Sequence, residues 1–320
     1  MLGAAELLRL FLIAPVSARA GASWGRAPGT RTDRRGGGWR QVAYLVVFPL
    51  VALQLGLLLT VTLALACSGV SPERKYRFLT GFSKGVARGI VRTFGYRFRV
   101  SGEEHLADAF AAGAPFVVVG NHVTFMDMVI ATAAVGVFVC VARKDIETWP
   151  FMGKIAQEWG GLFVDRSAPH GYTKVIAEKA RSAGIGETRG PLTLFPEGTT
   201  TNGKCVIKFR SGAFVPGLPV LPMAFHTRSG RMNTAWAYPH EGVFQALRLL
   251  LVWDKEIEVE FLPLHRPSPA ELASPQDFAW NVQQEVADAL GVPASRYWDN
   301  RKGFQFYKSR FEVPDLDQKV

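Results

Sequence analysis

His122 and Asp127, with four residues between them in Asn121-His-Val-Thr-Phe-Met-Asp127, are of types that can move a proton together. Five steps along one helix is a rotation of roughly 140°, so inside a single helix the two side chains would point apart. The pair therefore needs a break between its members. Phe116-Val-Val-Val-Gly120 reads as a buried strand, and Thr124 is an N-cap candidate for a helix running through Met128 to Val135. His122 then sits on the strand-to-helix turn and Asp127 in the first helical turn, from which a carboxylate reaches back to an imidazole nitrogen. Such a carboxylate fixes the tautomer and leaves the other nitrogen free as a general base. The same residues also read as a capping box, with Asp127 serving the helix terminus and His122 a polar turn residue. Taken alone, the segment leaves both readings open.

Other charged residues fall at strand ends. Gly190-Pro-Leu-Thr-Leu-Phe195 is a short apolar strand running into Pro196-Glu197-Gly198. Carboxyl ends of strands are where open α/β sheets bind ligands. Gly160-Gly-Leu-Phe-Val-Asp-Arg166 is another strand ending in a charged pair, and Pro219-Val-Leu-Pro-Met-Ala-Phe225 is an apolar strand interrupted by Pro222. Gly198-Thr-Thr-Thr-Asn-Gly-Lys204 also has the glycine and lysine spacing of a nucleotide-binding P-loop. It departs from that pattern at the next position. A P-loop needs Ser or Thr after its Lys and then a helix, whereas Cys205-Val-Ile-Lys-Phe209 is β-branched and strand-like.

These four strand ends, in this order, resemble the four motif blocks of the glycerolipid and lysophospholipid acyltransferase family, which includes the 1-acylglycerophosphate acyltransferases. Glu197-Gly-Thr-Thr-Thr-Asn-Gly203, continuing into Phe209-Arg-Ser-Gly-Ala-Phe214, is most similar to the branch acting on lysophosphatidylcholine and lysophosphatidylethanolamine. The likeness covers residues 102 to 300. It implies an α/β fold, a mixed sheet flanked by helices, and transfer of an acyl chain from acyl-CoA to a lysophospholipid. On that reading His122 takes the proton of the acceptor hydroxyl, Asp127 stabilises the imidazolium, and no covalent acyl-enzyme forms. Arg166 would pair with the acceptor phosphate, a task suited to a guanidinium fork. Glu197 and Gly198 would organise the acceptor site, with Gly198 letting the backbone approach closely and supply an N–H. Thr199 is placed with them as a substrate contact. Lys208 and Arg210 are further phosphate contacts or solvated surface, and Arg166 has the competing reading of a surface ion pair. Lysophosphatidic acid and glycerol 3-phosphate are the alternative acceptors. A catalytically silent, lipid-binding membrane protein is the alternative of another class. No cofactor is expected beyond acyl-CoA as co-substrate, and no metal.

The elements that must carry this region begin with a membrane segment. Residues 41–71 contain no charged side chain before Glu73, and Val42 to Val70 is mostly Leu, Val and Ala, longer than the ~20 apolar residues a span needs. Pro49 leaves open a helix or a hairpin. Arginines before the segment and Arg74, Lys75, Arg77, Lys84 and Arg88 after it balance, so charge does not orient it. Residues 72–101 read as a basic amphipathic connector, helical from Pro72 to Phe98. Arg77, Lys84, Arg88 and Arg92 lie on one face, and Leu79, Phe82, Val86 and Ile90 on the other. Such a helix suits an anionic membrane surface or packs on a domain. Gly81, Gly85 and Gly89 recur every fourth residue, a stripe that permits close helix packing or weakens the helix. Residues 102–265 form the expected catalytic domain, and 266–320 a C-terminal helix and tail packed on it. In that last part Phe278, Val282, Val286 and Leu290 share a helical face, and Asp299 to Lys308 mixes basic and aromatic residues.

Composition fits this arrangement. The chain has 320 residues, 48% of them apolar, and a net charge of +10, which favours anionic surfaces and phosphates. No nucleic-acid motif accompanies the charge, so nucleic acid is not an expected partner; membrane lipids, the lysophospholipid acceptor and the acyl-CoA donor are. Cys67, Cys140 and Cys205 show no metal-ligand spacing and suit a reduced, cytosol-facing domain. His105, His170, His226, His240 and His265 are scattered. Residues 1–40 read as a basic, disordered tail in which an apolar Leu7–Pro15 stretch leaves a targeting peptide open. No Asp-rich twelve-residue loop precedes Val320, so direct calcium control is not expected. The endoplasmic reticulum or another endomembrane is expected from the family resemblance.

Overall fold

The computed structural model describes residues 37–165, 172–183, 190–201, 203–229, 249 and 255–296. Its strands are β1 (Tyr96–Ser101), β2 (Val117–Gly120), β3 (Val139–Arg143), β4 (Leu162–Val164), β5 (Leu192–Leu194), β6 (Val220–Ser229) and β7 (Lys255–Phe261). They form one sheet in the order β1-β7-β6-β2-β5-β3-β4. All neighbouring pairs are parallel except β6 with β7, so the sheet is mixed as expected. β2 lies in the middle and every residue in it is buried, which is why it reads as an unbroken run of Val rather than an alternation. β7 alternates instead: Lys255, Ile257, Val259 and Phe261 are buried, and the three Glu between them are half-buried.

Helices cover both faces. On one side α2 (Pro72–Thr93), α3 (Glu103–Ala111) and α4 (Asp127–Val135) bury Ile90, Val91, Leu106 and Ile130 against Val118, Met223 and Val259. On the other, α6 (Tyr172–Ser182) and α8 (Pro275–Leu290) bury Ala180, Phe278, Val282 and Val286 against Val117, Leu192 and Val220. Each fully buried Val, Leu or Phe contributes about 1.5–3 kcal/mol by leaving water. Between β3 and β4 lies the short α5 (Met152–Glu158), and before α8 the one-turn α7 (Pro269–Ala273), opened by a capping box between Ser268 and Glu271.

The connector departs from its expected form. Its helix ends at Thr93, Gly95 turns the chain at φ 80°, and Tyr96–Ser101 pairs with β7 as a sheet strand. In the extended chain Tyr96 turns inward and is buried while Arg97 and Arg99 point out, and Arg97 pairs with Glu256 at 2.8 Å. The domain therefore starts before residue 102. α2 packs on the domain through Ala87, Ile90 and Val91, and Arg88, expected on the polar face, donates from Nε to Ala133 O at 3.1 Å. Of the three spaced glycines, only Gly89 faces a neighbour: a β-carbon there would lie 2.8 Å from Gln54 Nε2, whereas those of Gly81 and Gly85 would meet open space.

Pro222 does not interrupt its strand; β6 runs through it. Its carbonyl accepts Leu262 N at 3.0 Å just beyond Phe261, where the antiparallel pairing with β7 ends. The N–H that proline lacks would point to that same side, so its absence costs one bond at the ladder's end.

The segment expected in the membrane is one helix, α1 (Gly37–Ala66), continuous through Pro49, and not a hairpin. Val46–Ala66 is long and apolar enough to cross a membrane, with only 17% of its most apolar stretch buried, which sets it apart from the core helix of a soluble protein. It is two-faced all the same. Val47, Leu58 and Thr62 are buried, and Val51, Leu55 and Leu59 pack on the domain. Val46, Leu50, Leu53 and Leu57 are exposed. The expectations for the first thirty-six residues and for Asp299 to Lys308 lie outside the described residues.

Candidate active site

The site forms where β2 ends. Gly120 is held close to β6, since a β-carbon there would stand 2.8 Å from the Phe225 ring and 3.0 Å from Met223 O. The next residue, Asn121, continues the sheet with its side chain: Oδ1 accepts Phe225 N at 2.8 Å and Nδ2 faces Phe225 O at 3.4 Å. The chain then leaves the sheet at His122.

Asp127 Oδ2 organises the turn that follows. It lies 2.7 Å from His122 Nδ1 and accepts Val123 N at 2.7 Å and Thr124 N at 2.9 Å. One oxygen of Asp127 thus serves both the turn before the helix and the imidazole, without a capping box. Thr124 is not the N-cap; the helix begins at Asp127 after Met126, and Thr124 Oγ1 faces Met126 N at 3.4 Å. Asp127 is fully buried while the His122 side chain is 19% exposed, so the imidazole is partly open to solvent and the carboxylate is dry. His122 Nε2 makes no hydrogen bond among the described residues. An Nδ1–H donated to the carboxylate leaves Nε2 as the proton acceptor.

The loop after β5 fixes His122 from the other side. Glu197 Oε1 accepts His122 N at 2.7 Å and Oε2 accepts Ile207 N at 3.2 Å. Thr201 N donates to His122 O at 2.7 Å. Phe195 stacks on the imidazole with centroids 4.7 Å apart and planes 14° apart. The two backbone groups and one ring face of His122 are therefore set by a segment distant in sequence. Burial pushes the Glu197 carboxyl up to about 8 against the pull of the His122 and Ile207 N–H groups.

The residues expected to bind substrate separate into groups. Glu197 is 1% exposed with both oxygens on backbone N–H groups; it holds the loop together and has no free face for an acceptor. Gly198, at φ 71°, takes a conformation that suits glycine, but its N–H closes a turn onto Phe195 O at 3.0 Å and is not left for a ligand. Its missing side chain makes room for Arg210, whose Nε would lie 2.6 Å from a β-carbon at this position. Arg210 is thereby brought to the catalytic loop, its own N–H on Pro196 O at 2.9 Å. Thr199 is half-buried beside it. Lys208 lies on the surface and lines a separate cavity with Trp280 and Arg296. Arg166 lies outside the described residues. Cys205–Phe209 forms no strand beyond a single bridge from Val206 to Ala294, and no helix follows Lys204 to make a P-loop.

Asn121, Phe195 and Thr201 are site residues that the sequence did not single out, though all three lie inside the two motif segments. An apolar cavity of about 80 Å³ lies beside the helix that starts at Asp127. Met128, Val129 and Thr132 of α4 line it, with Leu55 and Leu58 of α1, Cys140 of β3, and Met152 and Ile155 of α5. Burial pushes the Cys140 thiol up to about 11 and the Cys205 thiol up to about 12, so both stay protonated. Among the described residues no group of three His, Cys, Asp or Glu could hold a metal ion.

Residues 97–226 match the Acyltransferase family model. The chain is 32% identical over 241 residues to lysophospholipid acyltransferase LPCAT4 of Homo sapiens, covering 72% of this chain and 45% of that one. It is 31% identical over 270 residues to lysophosphatidylcholine acyltransferase 1 of Homo sapiens, covering 79% and 48%, and 31% identical over 234 residues to the Danio rerio protein of that name, covering 72% and 44%. The chain thus spans a little under half the length of these relatives. Among solved structures it resembles the 1-acyl-sn-glycerophosphate (LPA) acyltransferase PlsC from Thermotoga maritima, with a TM-score of 0.56, 16% identity, and coverage of 86% of this chain and all of that one. At that identity the likeness is one of fold.

Proposed function

We propose, from the chain's membership of the acyltransferase family, that it transfers an acyl chain from acyl-CoA to the free hydroxyl of a lysophospholipid. The observation that carries this reading is the 2.7 Å contact between His122 Nδ1 and buried Asp127 Oδ2, which leaves Nε2 on the open side. Nε2 takes the hydroxyl proton as the acceptor oxygen attacks the thioester carbonyl. Asp127 stabilises the imidazolium, which then returns the proton to the departing CoA sulfur as the C–S bond breaks. Proton and electron pairs balance without a cofactor, a metal or a covalent acyl-enzyme. Arg210 and Thr199, beside Gly198, and Arg166 are the proposed contacts of the acceptor; Lys208 fits a more distant part of a phosphate-bearing substrate.

The apolar cavity takes the acyl chain in this reading. Its lining is apolar and includes Met128, the residue after Asp127, as suits an acyl chain. α1 places the enzyme at an endomembrane, the endoplasmic reticulum in this proposal, with the catalytic domain facing the cytosol. Because one face of α1 packs on the domain, we place the helix in one leaflet with Val46, Leu50, Leu53 and Leu57 toward lipid.

The test is CoA release by membranes carrying the wild type or His122→Ala. Oleoyl-CoA is supplied with lysophosphatidylcholine, lysophosphatidylethanolamine, lysophosphatidic acid or glycerol 3-phosphate. His122-dependent release with a choline or ethanolamine acceptor is expected. Release only with the last two acceptors would reassign the substrate, and no His122-dependent release would favour a silent lipid-binding protein.

A further inference from the structure

The turn after β3 carries two large aromatic side chains outward: Trp149 is 43% exposed and Phe151 37%. Its backbone is tied down, with Trp149 N on Ile146 O at 3.0 Å, Met152 N on Pro150 O at 2.7 Å and Gly153 N on Trp149 O at 3.0 Å. Gly153 seats the turn against the preceding 3-10 helix so closely that a β-carbon would lie 2.2 Å from Glu147 O. Phe151 is held at φ 61°, a conformation bulky residues adopt only where their surroundings impose it. The fold thus builds this projection rather than tolerating a loose loop.

Phe151 points at α1. A β-carbon on Gly56 would stand 3.5 Å from Phe151 Cε1, and Gly56 is the middle residue of the apolar stretch Val46–Ala66. Whether α1 crosses a bilayer or lies within one leaflet, its middle is in contact with acyl chains. Phe151 shares that level. Directly behind the turn, Met152, Ile155, Ala156 and Trp159 line the apolar cavity, facing Leu55 and Leu58 of α1 across it.

We infer that the Trp149-Pro150-Phe151 turn is immersed in the bilayer and, with α1, frames a lateral mouth through which lipid chains enter the apolar cavity. The partner is the hydrocarbon of the membrane itself. Immersion is independent of the reaction; chain entry rests on the acyl transfer proposed above.

The test of immersion is a nitroxide on Trp149→Cys in a Cys67→Ser background, with the protein in phosphatidylcholine vesicles. The two remaining cysteines, Cys140 and Cys205, are buried. Collision with oxygen should exceed collision with a water-soluble nickel chelate, the reverse of a label on Asp288→Cys at the exposed surface of α8. Nickel access equal to that control would overturn the inference, and so would protection from both reagents, which would mean that protein covers the turn. Repeating the measurement on His122→Ala separates immersion from turnover. For the mouth, Gly56→Leu fills the gap before Phe151 and should raise KM about tenfold for a long-chain acyl-CoA while leaving a short-chain thioester unchanged; an unchanged long-chain KM would overturn it.

Discussion

At His122 the chemistry depends on charge and on geometry in different degrees, and two substitutions separate them. His122→Ala removes the base, and turnover should fall by on the order of a hundredfold or more. In Asp127→Asn an amide oxygen can still accept from Nδ1, Val123 N and Thr124 N, the three donors that Oδ2 now serves. The turn should keep these bonds, but the new NH₂ takes the place of Oδ1, which is buried with no hydrogen-bond partner. Stability should therefore fall by about 1–3 kcal/mol, while turnover falls comparably to His122→Ala through loss of the charge opposing the imidazolium. Asp127→Ala should lose both. Glu197 is the complementary case. An amide at this position can accept one backbone N–H and must then turn its NH₂ on the other, so Glu197→Gln should cost about 1–3 kcal/mol in urea-denaturation stability, the usual penalty for a buried donor left unpaired. His122 and Asp127 were legible in the sequence because four intervening residues confine them to one turn. Glu197 was legible as a residue but not in its task, since the N–H it accepts belongs to His122, which only folding brings near.

Among the elements, α7 and α8 are fastened to the end of β7 through His265. Its Nδ1 lies 2.6 Å from Glu285 Oε1 on α8 and its Nε2 3.0 Å from Glu271 Oε1 on α7. Its backbone pairs with Val220, and Asn281 donates to the same Glu271 oxygen. The Glu285 bond raises the His265 pKa, against desolvation and with help from Glu271. Burial pushes Glu271 up, but the Ser268 N–H, Asn281, the Ser268 hydroxyl and His265 outweigh it and hold the carboxyl at about 2. The signs follow from which state binds the proton more tightly. A raised histidine stabilises the fold fully below its ordinary value of about 6.5 and loses that contribution as pH climbs through the folded value. A lowered carboxylate contributes above its ordinary value and loses it as pH falls toward 2. His265→Ala should therefore destabilise most between about pH 4.5 and 6.5, by about 1–3 kcal/mol. That difference should shrink in alkaline buffer, as read from urea midpoints across pH; a constant difference would mean that packing alone is lost. The helix here was readable from the Phe278, Val282, Val286 face. His265 looked isolated in sequence because its two carboxylates lie on separate helices.

At the scale of the whole molecule, the proposed arrangement has α1 divide its surface between membrane and domain. Leu53 and Leu57 are 69% and 51% exposed on its outer side. Placing Lys at both should weaken vesicle co-sedimentation by on the order of a hundredfold or more, since a charge at the centre of a membrane helix costs about 2.5–3.5 kcal/mol. The domain's thermal midpoint should hold, because neither side chain touches the core. Apolar run length alone marked this helix as a membrane candidate, and alternation, strand ends and turn residues placed the parts of an α/β sheet, because those signals are local periodicities written along the chain. The sequence could not say which face of α1 packs on the domain, turn Tyr96–Ser101 from connector into sheet, or set Glu197 on the backbone of His122. Each of those depends on which distant surface a residue meets, and no local pattern encodes a partner that only the assembled sheet brings within reach.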